Sequence, residues 1–202
     1  MHIRPLFPIP LGSVSLNRKF STEEISFIES LDFIKKGEQN NKRSKDSYIL
    51  ENEVLKDLKS FILTNINLYL LATNPLPKNV EIYITQSWVN HNSANEAHVE
   101  HYHQNSVVSG VLYFDVDPLI DSIIFLNFPK SVAIEYEPTH WNEFNSDILV
   151  HPVKNGQLLL FPSNLIHKVD ATNSVAQRIS LSFNTFLKGH LGDELSLTEL
   201  IL

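Results

Sequence analysis

Three imidazoles crowd the run HVEHYHQNS, at His98, His101 and His103, and a fourth stands far downstream at His167 in GQLLLFPSNLIHKV. Arg178 follows eleven positions after His167 and opens the run RISLSFN. A neutral imidazole is a metal ligand at physiological pH, and a guanidinium presents a planar fork of N–H donors that matches a carboxylate. These residue types could hold a divalent metal and an anionic co-substrate side by side. His101 and His103 are two apart, and residues at that spacing on a strand point to the same side. His98 and Glu100 compete with His103 for a further ligand position. His98, three before His101, suits a turn better than a strand, and Glu100 would face away from His101 once a strand has begun. His91, His140, His151 and His190 read as structural or exposed.

The arginine has its own pattern. In RISLSF, Arg178, Ser180 and Ser182 share one face of a strand, and Ile179, Leu181 and Phe183 share the other. A guanidinium buried beside hydroxyls is an anion clamp; the alternative is a buried ion pair with an Asp or Glu, because an unpaired buried charge is costly.

Composition narrows the chemistry. The 202-residue chain has no cysteine, so disulfides and thiolate zinc sites are excluded and any metal must use His, Asp or Glu. A net charge of −7 disfavours nucleic acid as the main partner, since phosphate binding needs a concentrated basic surface. The basic run Lys35, Lys36, Lys42, Arg43 and Lys45 is interrupted by Glu38 and Asp46 and reads as a solvated linker. Prolines in the first sixteen residues spoil a secretory helix, and the apolar run Phe61 to Ala72 is too short for a bilayer and carries Asn65 and Asn67. The expectation is a soluble, cytoplasmic protein with no membrane partner. Its oligomeric state is open, a homodimer included.

The residues that could do chemistry must be positioned by strands. From about Val80 the apolar pattern has period two: VEIYITQSWVN, SVVSGVLYFDV, DSIIFLNF, DILVHPV, GQLLLFP and RISLSFNTFL. Turn signals at Asp117-Pro118, Asn155-Gly156 and Asp170 to Asn173 separate them. Many short strands without intervening helices predict a mainly β fold, an antiparallel sandwich or barrel. Upstream, the proline-rich opening suits an edge strand or a strap. Ser21 with Glu24 forms a capping-box signature, followed by Ile25, Ile28, Leu31 and Ile34 at helical spacing. The polar stretch Lys35 to Asp46 is expected to close that helix as a loop. Asn52 can cap a second helix with an apolar face of Val54, Leu55, Leu58, Phe61, Ile62 and Ile66. The tail from Asp193 has weak helical spacing and reads as a docking segment. The organisation expected is one domain over 1–202, helical to about 78 and β over about 80–188, with the helices packed on one sheet.

With these runs in view, the sequence resembles the iron(II)- and 2-oxoglutarate-dependent oxygenases, and more narrowly a group of them found in bacteria and their phages. The resemblance is carried by His101-Tyr102-His103, by Ser109-Gly110-Val111-Leu112-Tyr113, by Gly156 to His167, and by Arg178 to Asn184, and it covers roughly Tyr83 to Phe186. It implies a double-stranded β-helix, or jelly roll, with Fe(II) at one mouth of the barrel and 2-oxoglutarate and O2 as small-molecule partners. By position it makes His101 the first metal ligand and His167 the distal one. It gives Arg178 the far carboxylate of 2-oxoglutarate with help from Ser180, and makes Asn90 and Tyr113 further contacts. The family's usual carboxylate position is occupied by His103. Either His103 completes a three-histidine site, or two histidines hold the metal and His103 stands behind them. Three imidazoles also suit zinc. A cupin-like metal enzyme without 2-oxoglutarate and a non-enzymatic jelly-roll module are the rival readings. The prime substrate is not legible, although the long segment Lys130 to Asp147, with Tyr136, His140 and Trp141, suits a lid or substrate wall.

Overall fold

A computed structural model describes residues 1–35, 41–127, 137–172 and 177–202. Lys36 and Glu38 of the basic run, Lys130 and Tyr136 of the long segment, and Asn173 of the last turn signal lie outside the described residues.

Two sheets face each other. In chain order the core strands are β4 (Val80–Asn92), β5 (His98–His101), β6 (Val108–Asp115), β7 (Ser122–Leu126), β8 (Ile148–Pro152), β9 (Gln157–Pro162), β10 (Ile166–Val169) and β11 (Arg178–Leu191). The chain passes between the sheets at each successive core strand except from β7 to β8, which pair in the smaller sheet. The smaller sheet has the order β5-β10-β7-β8. The larger sheet contains β9-β6-β11-β4, extended at one side by β1 (Gly12–Ser15) and at the other by β3 (Lys42–Ser44) and β2 (Phe33–Lys35). All pairings between these strands are antiparallel. This alternation is the double-stranded β-helix, the jelly roll that the resemblance implies.

The period of two sorts each strand's residues into two layers. Val111, Tyr113, Ile123, Phe125, Leu159 and Phe161 fill the space between the sheets. Leu112, Phe114, Leu158, Leu160, Leu181 and Phe183 face the other way, onto the helices. Because both faces of β6 and β9 are covered, these strands read as nearly continuous apolar runs. The helix α2 (Lys56–Thr73) lays Leu58, Ile62, Ile66 and Leu70 into that outer layer. Each such side chain contributes about 1.5–3 kcal/mol when fully removed from water. Asn52 accepts from the Val54 N–H and opens a short 3-10 turn, Glu53–Leu55, that leads into α2; Val54 itself is exposed.

Three expectations are corrected. The first helix, α1 (Thr22–Glu29), has the capping box, with the Glu24 N–H donating to Ser21 Oγ and Glu24 Oε2 accepting from the Ser21 N–H. It stops at Ser30, however, and Leu31 and Ile34 are not part of it. Second, Lys35 and Lys42 to Ser44 are not linker. They lie in a hairpin whose Lys42 and Arg43 pair with His91 and Asn90 of β4. Four apolar residues at helical spacing are a weak signal, and the open ladder of β4 outweighs it by satisfying a run of backbone groups. Third, the tail is not helical: β12 (Leu200–Ile201) pairs with the far end of β11. Among the described residues, no helix is long and apolar enough to cross a membrane.

Candidate active site

β5, β10 and β7 form the wall that carries the histidines. His167 stands directly opposite His101 on β5 and opposite Phe125 on β7. β5 ends at His101, so His103 is not on the strand as the i, i+2 argument assumes. Its place is fixed instead by its N–H, which donates to the Ser163 carbonyl at 2.8 Å. Beneath that loop, the Ser109 hydroxyl bonds to the Ser163 hydroxyl and to Asn184 Oδ1, and Ser163 donates to Ser106. The serines and the asparagine of the three sequence runs thus meet in a buried network under His103. His98, expected in a turn, begins β5 and stacks on His101 with ring centroids 4.1 Å apart.

His101, His103 and His167 each offer one ring nitrogen to a cluster in which these atoms lie within 4.8 Å of one another. His101 Nδ1 is 2.7 Å from the Val99 carbonyl and His167 Nδ1 is 2.9 Å from the Leu165 carbonyl. A carbonyl only accepts, so both Nδ1 atoms carry the proton and both Nε2 lone pairs face the cluster. His103 Nε2 lies 3.3 Å from His167 Nε2. Two nitrogens each about 2.1 Å from one metal, at right to tetrahedral angles, are separated by roughly 3.0–3.4 Å. Burial pushes His103 down to about 3 and His167 down to about 4, with neighbouring imidazoles adding to the effect. Burial lowers His101 as well. All three are neutral at pH 7, the form a metal needs. Glu100 is exposed and lies outside the cluster.

Arg178 lies in the same cavity, 5 % exposed. Its Nη1 donates to the Ser122 carbonyl at 2.7 Å and is 3.9 Å from Asp121 Oδ1. A guanidinium has five N–H donors, so these contacts leave it room to bind an anion. Ser180 and Ser182 line the cavity beside it, as the alternation of β11 predicts. Tyr113 lies under the guanidinium, 5.5 Å from its carbon to the ring centroid. The Tyr113 hydroxyl is fully buried and makes no hydrogen bond among the described residues. Burial raises it to about 12, against the pull of Arg178, so it stays an O–H donor. Asn90 also lines the cavity, but its amide is engaged, donating to Ser182 Oγ and accepting from Asn41.

An unpaired buried hydroxyl beside a buried arginine fits a bound carboxylate, and three converging neutral imidazoles fit a divalent metal. The cavity has about 30 Å³ of open space, enough for one or two waters, so a dicarboxylate enters by moving side chains that line it. Trp88, Asn92, Phe161 and Val169 also line it, beside Gly110, Val111 and Ile123, and sequence reasoning missed those four as site residues. Trp88 and Asn92 could have been found, since they share a strand face with Asn90 at period two. Asp121 and Ser122 had no such signal: their approach to Arg178 depends on how β7 lies across the barrel. Of the other histidines, His140 and His190 are exposed and His91 and His151 are partly buried, all outside this cavity.

The described end of the long segment, Asn142 to Asp147, borders a separate apolar groove near Leu165 and Phe125, together with Leu6, Phe7 and Ile9.

Residues 86–184 match the family model described as putative 2OG-Fe(II) oxygenase. The matched stretch runs from β4 into β11 and takes in the histidines and Arg178 of the cavity. The 2OG-Fe(II) oxygenase fold recurs in solved structures with low sequence identity. The epimerase SnoN from nogalamycin biosynthesis superposes with a TM-score of 0.62 at 12% identity, over 90% of this chain and 81% of that one. HygX from Streptomyces hygroscopicus, solved with nickel, 2-oxoglutarate and hygromycin B bound, gives 0.57 at 14% identity over 88% and 83%. A Pseudomonas putida prolyl-4-hydroxylase gives 0.55 at 14% over 87% and 92%. No curated protein matches the sequence. By the family match, with the shared fold beside it, the chain reads as an Fe(II)- and 2-oxoglutarate-dependent oxygenase.

Proposed function

We propose that His101, His103 and His167 hold the iron of this oxygenase and that Arg178 holds the far carboxylate of 2-oxoglutarate. The reading makes His103 a ligand in the position where the family ordinarily has a carboxylate. It rests on one observation above the others: three metal-ready imidazoles and a buried arginine line a single cavity.

When bound, iron(II) with 2-oxoglutarate and O2 supplies oxidising power, the co-substrate leaving as succinate and carbon dioxide; hydroxylation is the outcome we assign. The chain's own residues do the rest. Val99 and Leu165 carbonyls fix the tautomers of His101 and His167 and keep the lone pairs aimed at one point. Arg178, Ser180 and the Tyr113 hydroxyl take the far carboxylate, which gives Tyr113 the partner it lacks. Asn90 braces this wall through Ser182. Phe125 and Phe161 pack against His167 and exclude water from the metal side. A three-histidine set carries less negative charge than two histidines and a carboxylate, so it binds iron(II) less tightly.

Iron(II) and 2-oxoglutarate added to the protein without oxygen test the reading. A visible charge-transfer band is expected, bleaching with succinate release when oxygen is admitted. Folded, iron-loaded protein that gives no band would sink the co-substrate assignment.

A further inference from the structure

The cavity contains a fourth imidazole that the metal cluster does not use. His98 lines the same cavity as His101, His103, His167 and Arg178. The strand register gives its depth. On β10, His167 pairs with His101 and Val169 with His98. On β7, His167 pairs with Phe125 and Lys168 with Ile124, so Val169 lies toward Ile123 and Ser122, and the Ser122 carbonyl is where Arg178 is bonded. His98 is therefore displaced from the metal cluster toward the arginine, along the line a dicarboxylate spanning the two would follow. The field of Arg178 reaches His98, and its stacking on His101 is its nearest ring contact.

Its hydrogen bonding sets it apart from the ligands. His101 and His167 each give one nitrogen to a carbonyl and keep the other for the cluster. Neither ring nitrogen of His98 has a hydrogen bond among the described residues. A neutral imidazole carries one N–H in either tautomer. A ring N–H that faces the cavity without a protein partner is open to a ligand oxygen.

We propose that His98 is a co-substrate positioning residue, donating its ring N–H to the 2-oxoglutarate that lies between the iron ligands and Arg178. This rests on the assignment of the site above and adds a contact to it. The same ring, stacked on His101, fills space the co-substrate needs.

The test is a 2-oxoglutarate titration of the charge-transfer band on iron-loaded protein without oxygen, with metal content measured in parallel. His98→Ala and His98→Phe, which lack the donor, are expected to keep full iron content and to bind 2-oxoglutarate about tenfold more weakly, the loss of one hydrogen bond. His98→Asn, which keeps an N–H donor, is expected to recover most of the affinity. Unchanged or tighter binding in His98→Ala would overturn the proposal and leave the ring an obstruction only. Loss of iron in His98→Ala would overturn it too, by making His98 a prop for His101. Absence of a band in the unmodified protein would instead strike at the site assignment, so the two failures are distinguishable.

Discussion

The Nε2 atoms of His103 and His167 stand 3.3 Å apart, although 64 residues separate them in the chain. His167 Nε2 is a bare lone pair, because its Nδ1 proton is spent on the Leu165 carbonyl. A metal held between the two atoms would take a lone pair from each. His167→Ala and His103→Ala are each expected to reduce iron content from near one equivalent to near zero while the circular dichroism spectrum is kept. Normal iron content in His103→Ala would move His103 behind the metal and leave only two histidine ligands.

Arg178 and Asp121 are about equally buried, with 7 % and 6 % of their side-chain surface exposed, and their nearest charged atoms are 3.9 Å apart. Removing the guanidinium leaves Asp121 buried with, among the described residues, only the Asp117 N–H donating to its carboxylate. Arg178→Ala is expected to lower stability by about 3 kcal/mol, the low end for a broken buried pair because the contact is long. It should also abolish the charge-transfer band. Adding Asp121→Asn to that variant should restore much of the stability, read by urea denaturation, and none of the band. Recovery of the band in the double variant would contradict the role of Arg178 in holding the co-substrate.

Much of this barrel is legible in the chain because it is local. The alternation in RISLSF sends Arg178, Ser180 and Ser182 inward, where they are found, and Ser21 with Glu24 caps its helix as the pattern predicts. The hairpin of β2 and β3 is not legible, since Phe33 and Ile34 take their conformation from the partner strand β4 supports. The same holds for Leu200 and Ile201, which become a strand only by lying beside His190 and Leu191. Within the site, residue type revealed the imidazoles and the arginine. The depth of His98 and the approach of Asp121 follow only from cross-strand register, which a single sequence does not encode visibly.

Gly110 marks where a motif position has a packing cause. It sits directly opposite Phe183, and a Cβ there would lie 2.3 Å from Phe183 Cζ and 2.8 Å from the Leu159 carbonyl oxygen. The ring lies across the glycine in the layer beneath α2. Gly110→Ala is expected to cost about 3 kcal/mol or more, the upper range for overpacking, since a backbone carbonyl cannot step aside. Thermal melting of the variant checks this; a melting point within a few degrees of the unmodified protein would show that the sheet gives way more easily.

Glu24 links the first helix to acid stability. Burial works to raise its carboxyl, but the two-pronged contact with Arg18 and the Ser21 N–H together hold it below the ordinary range. A carboxyl lowered in the folded state stabilises above its unfolded value of about 4.3, and that stability is lost as pH falls through the folded value. Glu24→Gln is therefore expected to be less stable at pH 7 and to converge on the unmodified protein below about pH 4. Ser21→Ala, which removes only the cap, should cost about 1 kcal/mol at either pH. Urea midpoints at the two pH values decide; a gap for Glu24→Gln that does not shrink in acid would refute the linkage.

Tyr113 places stability and function in opposition. Its hydroxyl is fully buried with no hydrogen-bond partner among the described residues, a cost the fold bears until a carboxylate arrives beside Arg178. Tyr113→Phe removes the orphaned group without changing the ring that fills the space between the sheets. The metal-free protein should gain about 1 kcal/mol, the lower end of the penalty for an unsatisfied buried group. The loaded protein should bind 2-oxoglutarate roughly tenfold more weakly, since the donor that met the carboxylate is gone. Melting with and without iron and 2-oxoglutarate reads both effects at once: the variant should melt higher alone and gain less from the ligands. A variant that melts lower in both conditions would mean that the hydroxyl already has a partner, such as a fixed water, and that its place in the site is structural.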